Sequence, residues 1–404
     1  MTAPSREQLH TNPLLPYAEA RLEGYLADLA DLVAIDSGSY SPAGVNHMAD
    51  WTQNRLLRLG FDVERVAPEP AHGHAVGDVI VARKQGDLPV EQGGRRLLLA
   101  AHLDTVFDDG TAAARPFRLQ GHTAHGPGVS DDKAGLLAGI TALEILEETG
   151  TRRYAELVFV ATPDEEIGSP ASRPVTEAAA QGAHYALALE CARENGDLVI
   201  ARKGVADFRV SVTGRAAHAG IEPERGANAA LTAAHLVVAL QALNGLWDDV
   251  TVNVGVVRAG SRTNIVCPQA ELRVEVRSAT AAGLAAAHRA IKSAAAQPAV
   301  TGTTATVEQL DYCPPMEDTP ASRRMFDQAR RIAASLGVSL SGAATGGVGD
   351  ANFIAGLGVP TLDGLGPVGG ADHSPDEWLD TSTVPVRVAF LAALIADLGD
   401  SRAG

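Results

Sequence analysis

Cysteine is scarce in this chain of 404 residues. Cys191, Cys267 and Cys313 stand far apart and odd in number. They form no CxxC pair and no disulfide framework, which points to a reducing compartment. Basic charge is in deficit, with 33 Lys and Arg against 49 Asp and Glu and a net charge of −16. That balance argues against nucleic acid and anionic membranes as partners, because phosphate binding needs a basic face. No apolar run approaches the ~18 residues of a membrane span. The first residues, MTAPSREQLH and onward, lack the apolar centre of a signal peptide. The expectation is a soluble, cytoplasmic protein. Also missing are a GxSxG elbow, a GxGxxG after the first strand and a GxxxxGK[ST] loop, which removes support for serine hydrolase, dinucleotide and P-loop chemistry.

What is present is an alternation of helical and strand patterns. Apolar residues recur at helical spacing from Leu22 to Val33, and a second helix over about 45–59 stops at Gly60. Phe61–Val66 and Val79–Arg83 read as strands. Leu97–Ala101, Leu157–Ala161 and Tyr185–Leu189 are short unbroken apolar runs, as strands buried on both faces require. This predicts an α/β fold, a mostly parallel sheet flanked by helices. The texture changes near Lys203. From there to about residue 311 the order is β-α-β-β-α-β with alternating strands, predicting an inserted α+β, ferredoxin-like domain. The expected domains are therefore 1–202 with 312–404, and 203–311 between them. A final helix is expected at 382–398.

Polar residues gather just past the buried strands, where open α/β sheets collect ligands. His102-Leu103-Asp104, Asp164-Glu165-Glu166 and Glu190 each follow one, Asp131-Asp132 precedes a helix, and His373 sits in a loop near the C-terminus. Two imidazoles with several carboxylates suit a pair of divalent cations: zinc, or cobalt or manganese. One of Asp131 or Asp132 has the two oxygens a bridge needs. Adjacent Glu165 and Glu166 can divide the work of ligand and base, or simply cap the following helix. Cys191 reads as a packed neighbour of Glu190 rather than a nucleophile. The remaining histidines, His10, His125 and His184 among them, lack convergent context.

The segments AAHLDT, GPGVSDDKAG, TPDEEIGS, GRAAHAG and ADHSPDEW resemble, in order, the blocks of the dinuclear zinc peptidases. That family includes glutamate carboxypeptidases, which this chain resembles most, with aminoacylases, acetylornithine deacetylase and succinyl-diaminopimelate desuccinylase. The resemblance implies a catalytic domain with an inserted dimerisation (lid) domain and two metal ions. It implies Asp131 as the metal bridge, His102 and Glu190 on one ion, and Glu166 and His373 on the other. Glu165 is implied as the general base acting on a metal-bridging water, and Asp104 as the group that orients His102. A cis Asp131–Asp132 peptide is implied as well. His218 matches a histidine that reaches the partner subunit's site to stabilise the oxyanion; on its own it reads as an edge-strand residue in a solvated turn. Asn264 and Arg277 match positions holding the substrate carbonyl and terminal carboxylate, although Arg277 also reads as a surface charge. Gly346 and Gly347 lie in a turn whose backbone NH groups can meet a carboxylate.

The implied activity is hydrolysis of an amide bond next to a free carboxylate in a small peptide, by a homodimer joined through the inserted domain. An N-acyl amino acid deacylase is the alternative, and a catalytically silent binding dimer is the alternative outside enzymes.

Overall fold

The computed structural model describes residues 12–400; His10 and the outermost ends of the expected first domain lie outside the described residues. The chain divides into two compact units. Of the described residues, one unit comprises those up to Ile200, 318–344 and those from Gly349 onward, and the other Ala201–Glu317 with Thr345–Val348.

The first unit is built on β1 (Asp62–Val66), β2 (Val79–Gln85), β3 (Arg96–His102), β4 (Glu156–Thr162) and β5 (Tyr185–Ala188), with the short strand Thr361–Leu362 at one edge. The order is β1-β2-β4-β3-β5 and then Thr361–Leu362. β3 runs parallel to β4 and β5, and the edge strand parallel to β5. β1 and β2 pair antiparallel to each other, and β2 antiparallel to β4, so the parallel character belongs to four of the six strands. Because side chains alternate along a strand, the unbroken run in β3 divides between two cores. Leu97 and Leu99 join the side formed with helices Leu15–Val33, Lys133–Glu148 and Val384–Gly399. Leu98 and Ala100 join the opposite side with Ala179, Ala180 and Ile354. Each such fully buried leucine stabilises the fold by roughly 1.5–3 kcal/mol.

Parallel pairing brings the strand ends into line. His102 is level with Thr162, and Ala100 with Ala188. The polar residues that follow all three strands therefore emerge at one edge. Gly135 lets the next helix reach that edge, since a Cβ there would stand 1.9 Å from the Leu189 carbonyl oxygen. Four shorter strands, Arg118–Gln120, Thr123–His125, Gly369–Gly370 and Trp378–Asp380, make a separate antiparallel sheet.

The second unit holds β6 (Gly204–Thr213), β7 (Thr251–Ala259), β8 (Gln269–Ser278) and β9 (Thr304–Cys313) in the order β7-β8-β6-β9, all antiparallel. Phe208, Val210, Leu272, Val274 and Val276 bury one face under helices Ala229–Gln241 and Ala281–Ala295. Asn228 caps the first helix by accepting from the Ala230 and Leu231 NH groups, and Thr280 caps the second. The unit extends past residue 311 because β9 keeps pairing with β6 as far as Cys313 opposite Val205. Among the described residues, no helix is long and apolar enough to cross a membrane.

Candidate metal centre

His102 ends β3 and is almost fully buried. Its Nε2 lies 2.8 Å from Asp131 Oδ1 and 3.8 Å from Glu190 Oε1. On the other side, His373 Nε2 lies 3.2 Å from Asp131 Oδ2 and 2.9 Å from Glu166 Oε2. Two groups of candidate ligand atoms result, His102–Asp131–Glu190 and Asp131–Glu166–His373, each within 4.8 Å. Asp131 belongs to both and turns one oxygen toward each. Asp132 follows through a cis peptide and is buried, accepting from the His102 NH at 3.3 Å. The two aspartates thus part: one faces both imidazoles, the other supports the backbone of the strand end.

The donor chemistry fits divalent cations. Three carboxylates and two imidazoles converge, and each imidazole has a nitrogen aimed at the shared Asp131. The electrostatics point the same way. Burial opposes ionisation of Asp131, but hydrogen bonds with His102 and His373 outweigh it and hold the carboxyl below its usual range. Hydrogen bonds to Asp131 and Glu166 push His373 up to about 10. Burial pulls the His102 imidazole down, yet the bonds with Asp104 and Asp131 raise it overall. Positive charge is thus favoured between these carboxylates, whether carried by a proton or by a cation.

Asp104 ties the imidazole to the next loop. His102 Nδ1 is 3.0 Å from the Asp104 carbonyl oxygen and 3.3 Å from its Oδ1. The Asp104 carboxylate also accepts from Ser39 Oγ at 2.6 Å and from the backbone NH groups of Glu165 and Glu166, each at 3.2 Å. Glu165–Ile167 forms a single 3-10 turn after β4, which lets the adjacent glutamates serve neighbouring places. Burial, then the charge of Glu190, pushes the Glu165 carboxyl well above its usual range. A proton-accepting group beside a cation site needs a pKa raised in this sense. The Cys191 thiol is driven up by burial and donates to Asp372 at 3.4 Å, which does not describe a nucleophile. A cavity of about 600 Å³ includes Glu166 in its wall, with Tyr40, Val106, Phe107 and Ile167.

Residues 98–397 match the sequence model of Peptidase family M20/M25/M40. The chain belongs to this family. This M20 peptidase is 32% identical over 398 residues to carboxypeptidase G2 of Pseudomonas sp. (strain RS-16), covering 97% of this chain and 93% of that one. Among solved structures it resembles aminopeptidase PepT from Bacillus cereus ATCC 10987, with a TM-score of 0.75 and 24% identity over 93% of this chain and 98% of that one. It also resembles the M20 family metallo-carboxypeptidase Sso-CP2 from Sulfolobus solfataricus, with a TM-score of 0.67 and 15% identity over 92% and 98%. Both structures share the fold. The M20 chain is a metal-dependent hydrolase, and its candidate metal cluster is the one described above.

The other expected site residues of this M20 peptidase lie in the second unit. His218 is exposed and bridges Ile265, and the Ala219 NH donates to the Asn264 carbonyl oxygen at 3.0 Å, so His218 and Asn264 are neighbours. Arg277 donates to both oxygens of Glu275, at 2.8 and 3.1 Å, and to the Gly346 carbonyl oxygen at 2.8 Å. The glycine turn thus meets cations through its carbonyls, since Gly347 accepts from Arg202 in the same way. Sequence reasoning passed over Glu377, which is buried beneath the Gly128–Asp131 turn, and Asp350, which accepts from Thr162 and Ser169. The only signal for Glu377 was its place as the third acidic residue of the His373 segment, after Asp372 and Asp376.

Proposed function

We propose that the protein cleaves an amide bond adjacent to a free carboxylate, as a carboxypeptidase acting on small peptides. The observation that carries this reading is the pair of imidazole–carboxylate groups meeting on Asp131. His102, Asp131 and Glu190 would hold one divalent cation, and Asp131, Glu166 and His373 a second, zinc first and cobalt or manganese as alternatives. Bound there, such ions supply Lewis acidity and lower the pKa of water toward neutrality. Glu165 takes the proton from water and returns it to the departing amine nitrogen, a role its raised pKa supports. Asp104 keeps His102 oriented.

In this reading residues 203–311 form a lid and dimerisation domain on a catalytic domain of 1–202 and 312–404. A homodimer through the lid would let His218 of one copy serve the other copy's substrate, with Asn264 holding the carbonyl. Arg277 would take the terminal carboxylate, for which its planar fork of donors is suited, with Gly346 and Gly347 beside it. The similarity to a protein named carboxypeptidase G2 supports carboxypeptidase over deacylase chemistry. The low cysteine content and the chain's acidity support a cytoplasmic setting without nucleic acid or membrane.

The test is a panel of dipeptides and N-acyl amino acids, each with a free or amidated C-terminus, offered to protein loaded with zinc, cobalt or manganese. Amidation is expected to lower kcat/KM by at least about 100-fold, the worth of one charge-assisted bidentate contact. Equal hydrolysis of both forms would overturn the carboxylate requirement. Preference for N-acyl amino acids over dipeptides would move the assignment to a deacylase. No hydrolysis of any member with any metal would favour the silent binding dimer.

A further inference from the structure

We infer that Glu377 is a positioning residue for Asp131, so that one buried carboxylate outside the ligand set governs both candidate cation positions. Its side chain is almost fully buried, and both oxygens are used. Oε2 accepts from the Gly128 NH at 2.8 Å, while Oε1 accepts from the Ser130 NH at 2.8 Å and the Asp131 NH at 3.0 Å. Three backbone donors of the turn that presents Asp131, the NH groups of Gly128, Ser130 and Asp131, therefore converge on a single carboxyl group. The shape and charge of that nest suit a carboxylate.

Glu377 is itself anchored. It directly precedes Trp378–Asp380, which pairs with Thr123–His125, and its carbonyl oxygen faces His125 Nδ1 at 3.0 Å. The turn has little room to settle elsewhere. Gly128 has φ +71° and a Cβ there would come within 2.6 Å of Thr105, while a Cβ on Gly369 would stand 2.1 Å from Ser130 Oγ. The small antiparallel sheet is thus a rigid frame, and Glu377 is the strut between it and Asp131. Because Asp131 offers one oxygen to each triad, any rotation of the turn disturbs both.

The inference rests on Asp131 being the shared ligand, and the experiment separates the two claims. Zinc affinity is measured by competition with a chromophoric chelator for the wild type, Glu377→Gln, Glu377→Ala and Leu394→Ala. Glutamine keeps one acceptor oxygen but turns an NH2 toward the Gly128 NH or toward the Ser130 and Asp131 NH groups. It is expected to weaken zinc binding about 10–100-fold, in the range of other residues that orient ligands. Alanine is expected to weaken it further. KM at saturating zinc is expected to stay near the wild-type value, because Glu377 touches no proposed substrate-binding residue.

Leu394 is fully buried in helix Val384–Gly399, which carries none of the candidate ligands, and its truncation is expected to lower Tm without changing zinc affinity. Should Glu377→Ala not fold, Glu377→Gln decides. A Glu377→Gln protein that loses Tm like Leu394→Ala but binds zinc like the wild type would overturn the inference. A wild type that binds no zinc, cobalt or manganese would instead overturn the reading of Asp131.

Discussion

Replacing Asp104 by asparagine changes one atom of the site's hydrogen-bond hub and is expected to have a large effect. Oδ2 accepts from Ser39 Oγ and the Glu166 NH, while Oδ1 accepts from the Glu165 NH and lies 3.3 Å from His102 Nδ1. Asparagine has one oxygen. The short Ser39 bond keeps it on the Oδ2 side, which leaves an NH2 opposite the Glu165 NH and the imidazole. Hydrogen bonds to a charged group contribute about 1.5–3 kcal/mol each, and two are lost. Allowing for local relaxation, roughly 2–4 kcal/mol is removed, or about 30- to 1,000-fold in kcat/KM. There is a second consequence. The Asp104 carbonyl oxygen and carboxylate together hold the proton on Nδ1 and so keep a lone pair on Nε2, facing Asp131 and Glu190, and the negative charge strengthens that hold. Without that charge, the cation position at His102 weakens while the one at His373 does not. Metal titration should therefore find one affinity lowered and one preserved, in protein with an unchanged circular dichroism spectrum. An Asp104→Asn protein with both affinities and kcat/KM within threefold of the wild type would refute the reasoning.

Three further outcomes are expected. Glu165→Gln should lower kcat about 10²- to 10⁴-fold with metal content unchanged, since Glu165 belongs to neither triad; near-normal turnover would remove it as the base. Burial pushes Asp350 from its ordinary 3.8 up to about 6, so between those values the folded chain binds the extra proton. Stability from this group is therefore lost as pH rises from about 4 to 6, by roughly 3 kcal/mol. Urea unfolding at several pH values should show that decline in the wild type and not in Asp350→Asn; parallel curves would refute it. Zinc at a hundredfold excess over its Kd should stabilise the fold by about 2.7 kcal/mol per site and a chelator should reverse this, whereas a Tm indifferent to zinc, cobalt and manganese would contradict a folded-state cation site.

Long apolar runs made the central sheet legible. Leu97–Ala101 and Leu157–Ala161 have the length and composition of strands buried on both faces, and the polar residues after them fell at one edge once the strands paired in parallel. The antiparallel pairing of β1 with β2 and of β2 with β4 was not legible, because strand direction leaves no mark on composition. Nor was the small sheet around Trp378–Asp380, whose two- and three-residue strands are too short to show a period. That gap hid Glu377, since its importance comes from the frame behind it and not from its neighbours in sequence. Between Asp131 and Asp132 residue type could not choose, as both are aspartates beside a helix start. The choice lies in the backbone, which sends one carboxylate toward the imidazoles and the other beneath the strand.

Arg277 and Glu275 stand two residues apart on one strand, with the guanidinium already clasped by a carboxylate of its own chain. In the proposed reading, an incoming anion would therefore have to arrive by exchange. It must outbid a tethered rival that is always at hand, so the net gain is the difference between two similar grips. Small anions in the cell would win little from such a trade, and a ligand held at several other points at once would win much. If Arg277 takes the substrate carboxylate as proposed, the in-built competitor would act as a threshold, keeping the cation from saturating with whatever acid happens to be abundant.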